Sequence, residues 1–342
     1  MVPHDKAPAR KYRRVMDSLS AGPCVSIEVV PPSRGGDLDD IFAAVDAIAS
    51  YDPSFISVTD HPGGTAWIQE DSGRGMPRRV ALRTKPGTLG TAVALRDRFG
   101  VTAIPHIVGG MADKLKIEDL LIDLHYANFR DLFVVMGDDR FSPDPLAAKG
   151  RARLEVEGEG YGHARDLVAH ISRLNRGEYT PPSEGKPTSF AIGVAAYPQK
   201  HFAAPNLETD WERLADKIGA GASFAITQMV FEAEPYVRLV EFLRRRGVEV
   251  PVFPGIKPLF RASSMDLIPR NFFMDLPKAL VDGLAGARSP EEEKSFGIAW
   301  TAGLCRKLLD AGAPGLHFFT MGKGLGTKWT LDALLGPSGR LS

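Results

Sequence analysis

The sequence predicts an α/β chain folded as a (β/α)8 TIM barrel, and three observations lead there. Eight short β-type runs are spread along the chain, amphipathic helical stretches separate them, and several of the runs end in unusual polar residues. The 342 residues, 44% hydrophobic and 25% charged, suffice for one such barrel as a single domain with long loops. An N-terminal helical extension, residues 1–22, is expected before a barrel over residues 23–336. If the strand count is off by one, an open doubly wound sheet is the alternative.

In chain order the strands are expected at Val25–Val30, Phe55–Thr59, Ala103–Ile107, Leu132–Met136, Phe190–Ala195, Phe224–Gln228, Val250–Phe253 and Gly315–Thr320. Helical patterns fill the intervals. Asp37–Ser50 places Ile41, Val45 and Ile48 on one stripe, and Asp113–Asn128 carries Leu115, Leu120, Ile122 and Leu124. Glu234–Arg246 ends in three arginines before Gly247, which suits the negative end of a helix dipole and a left-handed cap. The last long helix opens with Ser289 as N-cap, Pro290 at the first position and Glu292 completing a capping box. Two connections, Asp139–Gly162 and Asn175–Ser189, are longer than the fold requires. The first follows the fourth strand and is expected to cover the mouth as a lid; the second precedes the fifth and is expected at the opposite face.

Composition excludes several classes. Lys plus Arg number 42 and Asp plus Glu number 42, so the positive field of a nucleic-acid binder is missing. The cluster Arg10-Lys11-Tyr12-Arg13-Arg14 reads as a solvated helix face. Cysteine is limited to Cys24 and Cys305, which fits neither a disulfide scaffold nor a thiolate metal site and suits a reducing cytoplasm. The first twenty residues lack the apolar core of a signal peptide, and no apolar run has membrane length. The eight histidines include no His-Glu-x-x-His pair, so no metal is expected. A cytoplasmic protein acting on small molecules, without nucleic-acid or membrane partners, is the class that remains.

Glu28 is the most informative residue. It interrupts the apolar run from Val25 to Val30, which stops at Pro31-Pro32. A period of two puts Val25, Ile27 and Val29 on one face and Ser26, Glu28 and Val30 on the other. A carboxylate on a buried strand is paired, solvated in a pocket, or held protonated by a raised pKa, and in the last case it is a proton donor. A structural Glu paired with a core Lys or Arg is the competing reading.

A barrel places its chemistry at the C-terminal strand ends. Here those ends carry Thr59-Asp60-His61, Pro105-His106, Gly137-Asp138-Asp139, Tyr197-Pro198 with His201 beyond, Thr227-Gln228, and Thr320-Met321-Gly322-Lys323. An isolated strand-end His or Asp reads first as a turn or a satisfied core group; together they ring one mouth. The glycine-rich segments Gly322–Gly326 and Gly158–Gly162 lack the spacing and context of a dinucleotide fingerprint and read equally well as flexible turns.

The ordered series resembles the flavin-dependent methylenetetrahydrofolate reductase family. It runs from Ser26–Pro32 through Ser57–Thr59, Pro105-His106, Gly137-Asp138, Ala164–Val168, Gly193–Pro198, His201, Ala220–Gln228 and Pro254–Pro258 to His317–Thr320, nearly the whole chain beyond the first twenty residues. The resemblance implies an eightfold barrel binding FAD at its mouth, a homo-oligomer, NADH or NADPH as electron donor, and reduction of 5,10-methylenetetrahydrofolate to 5-methyltetrahydrofolate. It implies Glu28 as proton donor to the folate and Asp138 beside flavin and pterin, its charge favouring a cationic intermediate. Gln228 would hold the pterin and Lys323 the glutamyl carboxylates. Thr59, His106 and Gly137 would contact the flavin, and His163, Ala164, Tyr197, His201, Asp210 and Lys217 would line the rest of FAD, Lys217 at the pyrophosphate.

The sequence departs from the family pattern at four positions. Met136 stands where Arg is usual, Asp60 where an aromatic is usual, His163 for Tyr, and Lys323 for Arg. Lys323 keeps the charge and loses bidentate pairing. Two rival classes fit the same motifs: a pterin-binding methyltransferase barrel without flavin, and a catalytically silent flavin- or folate-binding homologue.

Overall fold

Eight parallel strands close on themselves, and the sequence between them supplies the helices that cover the outside. The computed structural model describes residues 13–61, 64–68, 78–82, 85–110, 112–137, 160–320, 322, 324–336 and 339. Helix α1 (Val15–Ser18) and a 3-10 turn lead into β1 (Cys24–Val29); α2 (Asp39–Asp46) and a second 3-10 turn lead to β2 (Phe55–Val58). A hairpin of β3 (Gly64–Ile68) and β4 (Arg78–Leu82) precedes α3 (Thr88–Phe99), β5 (Thr102–Val108), α4 (Lys114–Tyr126) and β6 (Asp131–Val135). Then come α5 (Ala164–Leu174), a short hairpin of β7 (Glu178–Tyr179) and β8 (Ser183–Glu184), β9 (Ala191–Ala196), α6 (Leu207–Gly219) and β10 (Phe224–Val230). The chain continues through α7 (Ala233–Arg245), β11 (Val252–Ile256), α8 (Ser264–Phe272), α9 (Lys278–Ala285), α10 (Pro290–Asp310), β12 (Gly315–Phe319) and α11 (Leu325–Leu335).

The barrel order is β1-β12-β11-β10-β9-β6-β5-β2, closed, so the eight expected strands are its eight staves and the open-sheet alternative falls. The alternation read in β1 holds. Val25, Ile27 and Val29 pack outward in one core with Ile41, Val45 and Leu308 from the helical layer, leaving Ser26 and Glu28 to the interior. Phe55, Ile104, Phe133, Phe224 and Phe253 fill the lower interior. Gly193 makes room there, since a Cβ on it would lie 2.4 Å from the Phe224 ring and 2.7 Å from that of Phe133.

Val15 of α1 belongs to this inner cluster and has no solvent exposure, so the N-terminal segment plugs the bottom of the barrel. The Arg10–Arg14 cluster is therefore not a solvated helix face where it is described. Arg14 is extended, ahead of α1, and its guanidinium donates to the carbonyls of Arg130 and Ser189. These carbonyls are at the N-terminal ends of β6 and β9, where the Asn175–Ser189 connection also ends. Asn175 pins that connection, its side chain bonding Thr188 and both backbone groups of Phe190.

Several local expectations need adjustment. The buried stripe of α4 is Ile117, Leu121 and Leu124, with Glu118 among them, whereas Leu115 is exposed. Asp113 caps that helix by accepting from Lys116 N. At α10 the Ser289 hydroxyl accepts from Glu292 N, but the Glu292 carboxylate takes the N–H of Arg288, one residue before the cap. Gly247 adopts φ +71° after α7, the left-handed stop that the arginine run anticipates. Cys24 and Cys305 are both buried and free.

Candidate active site

The C-terminal ends of the staves bring Glu28, Thr59, His106, Gly137, Tyr197, Gln228 and Lys257 to one mouth. Glu28 keeps only 18% of its side chain exposed, and its carboxylate lies 3.6 Å from His106 Nε2. This contact is not an ion pair. Burial raises the Glu28 pKa to about 8, and burial, with help from His317 and His61, lowers that of His106 to about 3. Both groups are neutral near pH 7 and Glu28 carries a proton. His106 Nε2 is buried without a hydrogen-bond partner among the described residues, an exception to the rule that buried polar atoms are bonded.

One tier below, His317 shows the opposite arrangement. Its Nδ1 lies 2.9 Å from Ser26 Oγ and its Nε2 3.5 Å from Ser57 Oγ, with the ring stacked on Phe55 at 5.8 Å. Burial holds its pKa near 3. It is the floor of the site. The Glu28 backbone is fixed across the β1–β12 seam by Thr320, whose hydroxyl donates to Glu28 O at 2.7 Å.

Gln228 reaches the mouth through a bulge. The β10–β11 register shifts between Ile226 and Met229; Thr227 donates to Gln228 O while accepting from Gly255 N. The bulge re-aims the strand end, and Gln228 Oε1 accepts from Met229 N, which sets the amide plane.

A second polar group follows β9. The Tyr197 and His201 rings stand 4.7 Å apart, Asp210 in the first turn of α6 accepts from His201 N at 2.7 Å, and Trp211 donates to Tyr197 O. Lys217 runs along the same helix face and donates to Ala195 O. Burial lowers its pKa to about 8, with Asp210 opposing. Tyr197, His201, Asp210 and Lys217 are thus one connected assembly beside the mouth.

The remaining predicted residues are placed as follows. Thr59 contacts His61 at 3.1 Å. Asp60, in the aromatic's usual place, accepts from Thr88 at the start of α3, so it ties a helix rather than presenting a ring. Met136 packs against Gly109. His163 caps α5, its N–H bonded to the Asp166 carboxylate, and Ala164 is the first helical residue. Asp138, Lys323 and residues 139–159 of the expected lid lie outside the described residues. Sequence reasoning missed Lys257, His317 and Phe319 as site residues and named Thr320 only as a strand-end residue of the mouth. Their segments were noted as motifs, and the alternation used for Glu28 finds His317, Phe319 and Lys257 when counted along β12 and β11.

Residues 11–334 match the methylenetetrahydrofolate reductase family. A methylenetetrahydrofolate reductase (NADH) of Arabidopsis thaliana is 25% identical over 86% of this chain and 45% of its own. A 5,10-methylenetetrahydrofolate reductase of Pectobacterium carotovorum is 25% identical over 87% of this chain and 86% of its own. The chain spans about half the length of the eukaryotic relatives it matches. Among solved structures, a Clostridium thermocellum protein described as binding two copies of 5-methyl-5,6,7,8-tetrahydrofolic acid superposes with a TM-score of 0.55. It is 14% identical, covering 90% of this chain and 92% of that one.

Proposed function

The chain belongs to the methylenetetrahydrofolate reductase family, and from that premise we propose that it reduces 5,10-methylenetetrahydrofolate to 5-methyltetrahydrofolate with NADH or NADPH, through bound FAD, Glu28 being the proton donor. The observation that carries this reading is the Glu28 carboxyl group turned into the mouth, largely buried and 3.6 Å from His106 Nε2. An acid with a pKa of about 8 is neutral at working pH yet acidic enough to give its proton to an amine nitrogen.

The residues present suit FAD. His106 Nε2 is a donor or acceptor at the mouth with no partner among the described residues, and the Tyr197–His201–Asp210–Lys217 assembly offers an aromatic face, a carboxylate for ribose hydroxyls and an ammonium for phosphate. Thr59, Gly137, His163 and Ala164 complete the set. When bound, FAD accepts hydride from the nicotinamide and passes it to the folate. Glu28 protonates folate N10; the bond from the bridging carbon to N10 breaks, and the positive charge appears on the N5 iminium that takes the hydride. Asp138, which follows Gly137, would face that charge with a negative one, and Gln228 would hold the pterin edge. Lys323 would meet a glutamyl carboxylate.

Freshly purified protein tests the proposal. It should show flavin absorbance, bleach anaerobically on NADH or NADPH, and recover its colour on methylenetetrahydrofolate. Flavin-free protein that takes up no FAD yet transfers a methyl group would favour the methyltransferase alternative. Bound flavin that neither nicotinamide nor folate turns over would favour a silent homologue.

A further inference from the structure

Three adjacent staves end side by side with Glu28, Phe319 and Lys257. The β1–β12 register pairs Glu28 with Phe319. The β11–β12 register pairs Gly255 with His317 and Ile256 with Phe318, which brings Lys257 level with Phe319. The period of two sends all three inward. His317 bonds serines inside the barrel, so Phe319, two residues on, points the same way. A Cβ on Gly255 would sit 2.5 Å from the Phe319 ring, which places that ring over the glycine and Lys257 just above it. Phe319 is only partly buried, so its ring still borders the mouth.

Lys257 is the unexplained member of the row. Its Nζ reaches Phe319 O at 3.4 Å, beyond the usual N–H···O range, and among the described residues it makes no ion pair. Burial alone lowers its pKa to about 8. An ammonium turned inward at a strand end gives up hydration that an outward lysine keeps, and an incoming anion restores what is lost.

Resting on the proposed reductase function, we propose that Glu28, Phe319 and Lys257 form one track for the side arm of folate. Glu28 meets N10, the Phe319 ring lies against the aminobenzoyl ring, and the Lys257 ammonium pairs with the α-carboxylate of the first glutamyl residue. The spacing agrees. Neighbouring staves lie about 4.8 Å apart, so Glu28 and Lys257 start about 10 Å from one another, the scale of an aminobenzoyl group extended by its amide. The order also agrees, since acid, ring and cation follow the order of amine, ring and carboxylate in the ligand. Lys257 is thereby a specificity-determining residue for glutamylated folate.

The test compares 5-methyltetrahydrofolate with 5-methyltetrahydropteroate, which lacks the glutamate, by equilibrium binding at low salt to the FAD-loaded protein. Wild type should prefer the glutamylated ligand by at least about tenfold, and Lys257→Met should cut that preference to about twofold, mostly through the glutamylated ligand. Lys257→Arg, which keeps the charge, should restore most of it. Matching circular dichroism and melting curves establish that the variants fold; if Lys257→Met does not, Lys257→Gln replaces it. A preference that survives in Lys257→Met, or equal binding of the two ligands to wild type, overturns the role of Lys257 and leaves the reductase reading standing. Binding of neither ligand to wild type removes both.

Discussion

At the barrel mouth Glu28 and His106 face one another across 3.6 Å without a hydrogen bond between them, whereas in the helical layer Glu118 and His170 meet at 2.5 Å. The second pair is fully engaged. Glu118 also takes the N–H of Thr180, and the other nitrogen of His170 bonds the Tyr161 hydroxyl. All three side chains are buried, and they staple α4, α5 and the β7–β8 hairpin together. A cavity of about 960 Å³ adjoins them, lined among others by Lys114, His170, Arg173 and Tyr179. Size does not make it the reaction site, because none of its lining residues stands at the strand-end mouth and the His170 ring that borders it is already bonded at both nitrogens. The mouth is built the other way, with a proton on Glu28 and a nitrogen on His106 that has no partner among the described residues, both held where a ligand can use them.

The largest expected effect follows from that contrast. Glu28→Gln should lower the rate of folate reduction by about 10²- to 10⁴-fold, the usual contribution of a positioned acid, and leave reduction by the nicotinamide unchanged. Glu118→Gln should leave both half-reactions within about threefold per folded molecule. Stopped-flow absorbance separates the two half-reactions. Unimpaired folate reduction in Glu28→Gln would strip Glu28 of its role.

Stability should sort the two histidines in reverse. His170→Leu removes a hydrogen-bond partner from the buried Glu118 and from Tyr161, a loss of about 1–3 kcal/mol for each group left unsatisfied. His106→Leu removes a nitrogen that bonds nothing described, so the variant should be within about 1 kcal/mol of wild type while binding flavin more weakly. Urea unfolding of the two variants measures the difference. Equal destabilisation would mean that His106 is as structural as His170.

What the sequence made legible divides along the same line. All eight staves were readable because each is a short, mostly apolar run set between helical stretches, and Glu28 was readable because a charge interrupts such a run. The β3–β4 and β7–β8 hairpins and the helices α8 and α9 went unread, being short. The Glu118–His170–Tyr161 staple was invisible for a different reason. Its members come from positions 118, 161 and 170, and no local pattern links a helix-face Glu to a residue two elements away. Lys257 stood in a motif already noted, but which way it points depends on the β11–β12 register, a tertiary fact. Arg14 looked like helix surface because nothing local reveals that its segment plugs the barrel.

The mouth should also carry a pH signature of its own, set by Glu28. The Glu28 pKa is raised from 4.5 to about 8, so between those values the folded state binds more protons there than the unfolded state. Its contribution to stability is therefore full below pH 4.5 and is lost as pH rises toward 8. Glu28→Gln should flatten that part of the stability profile, a change of a few kcal/mol at most, on the order of the shift itself. The folate half-reaction should fall off above about pH 8 in wild type as the acid ionises. His106, lowered to about 3, acts in the other direction, with stability lost as pH falls below its ordinary value of 6.5. A stability slope between pH 5 and 8 that is identical in wild type and Glu28→Gln would show that Glu28 is ionised in the folded protein.

The smallest effect tests whether the mouth, loosely bonded at its side chains, is held firmly at its backbone. Thr320 donates from its hydroxyl to Glu28 O at 2.7 Å, and its N–H points at the same oxygen at 3.3 Å. Thr320→Val keeps the shape and the N–H and removes only the hydroxyl bond, which costs about 1 kcal/mol. Glu28 then gains freedom where a positioned acid must stay within hydrogen-bond reach of its nitrogen. Folate reduction should slow by about two- to fivefold with the nicotinamide half-reaction unchanged, since small misplacements of a reacting group are felt in rate before they are felt in binding. Slower folate reduction would sharpen the contrast with the staple, where rigidity comes from the side chains themselves. Lower stability with both half-reactions intact would make Thr320 a seam residue only, and would mean that the inner wall of β1 alone holds Glu28 in place.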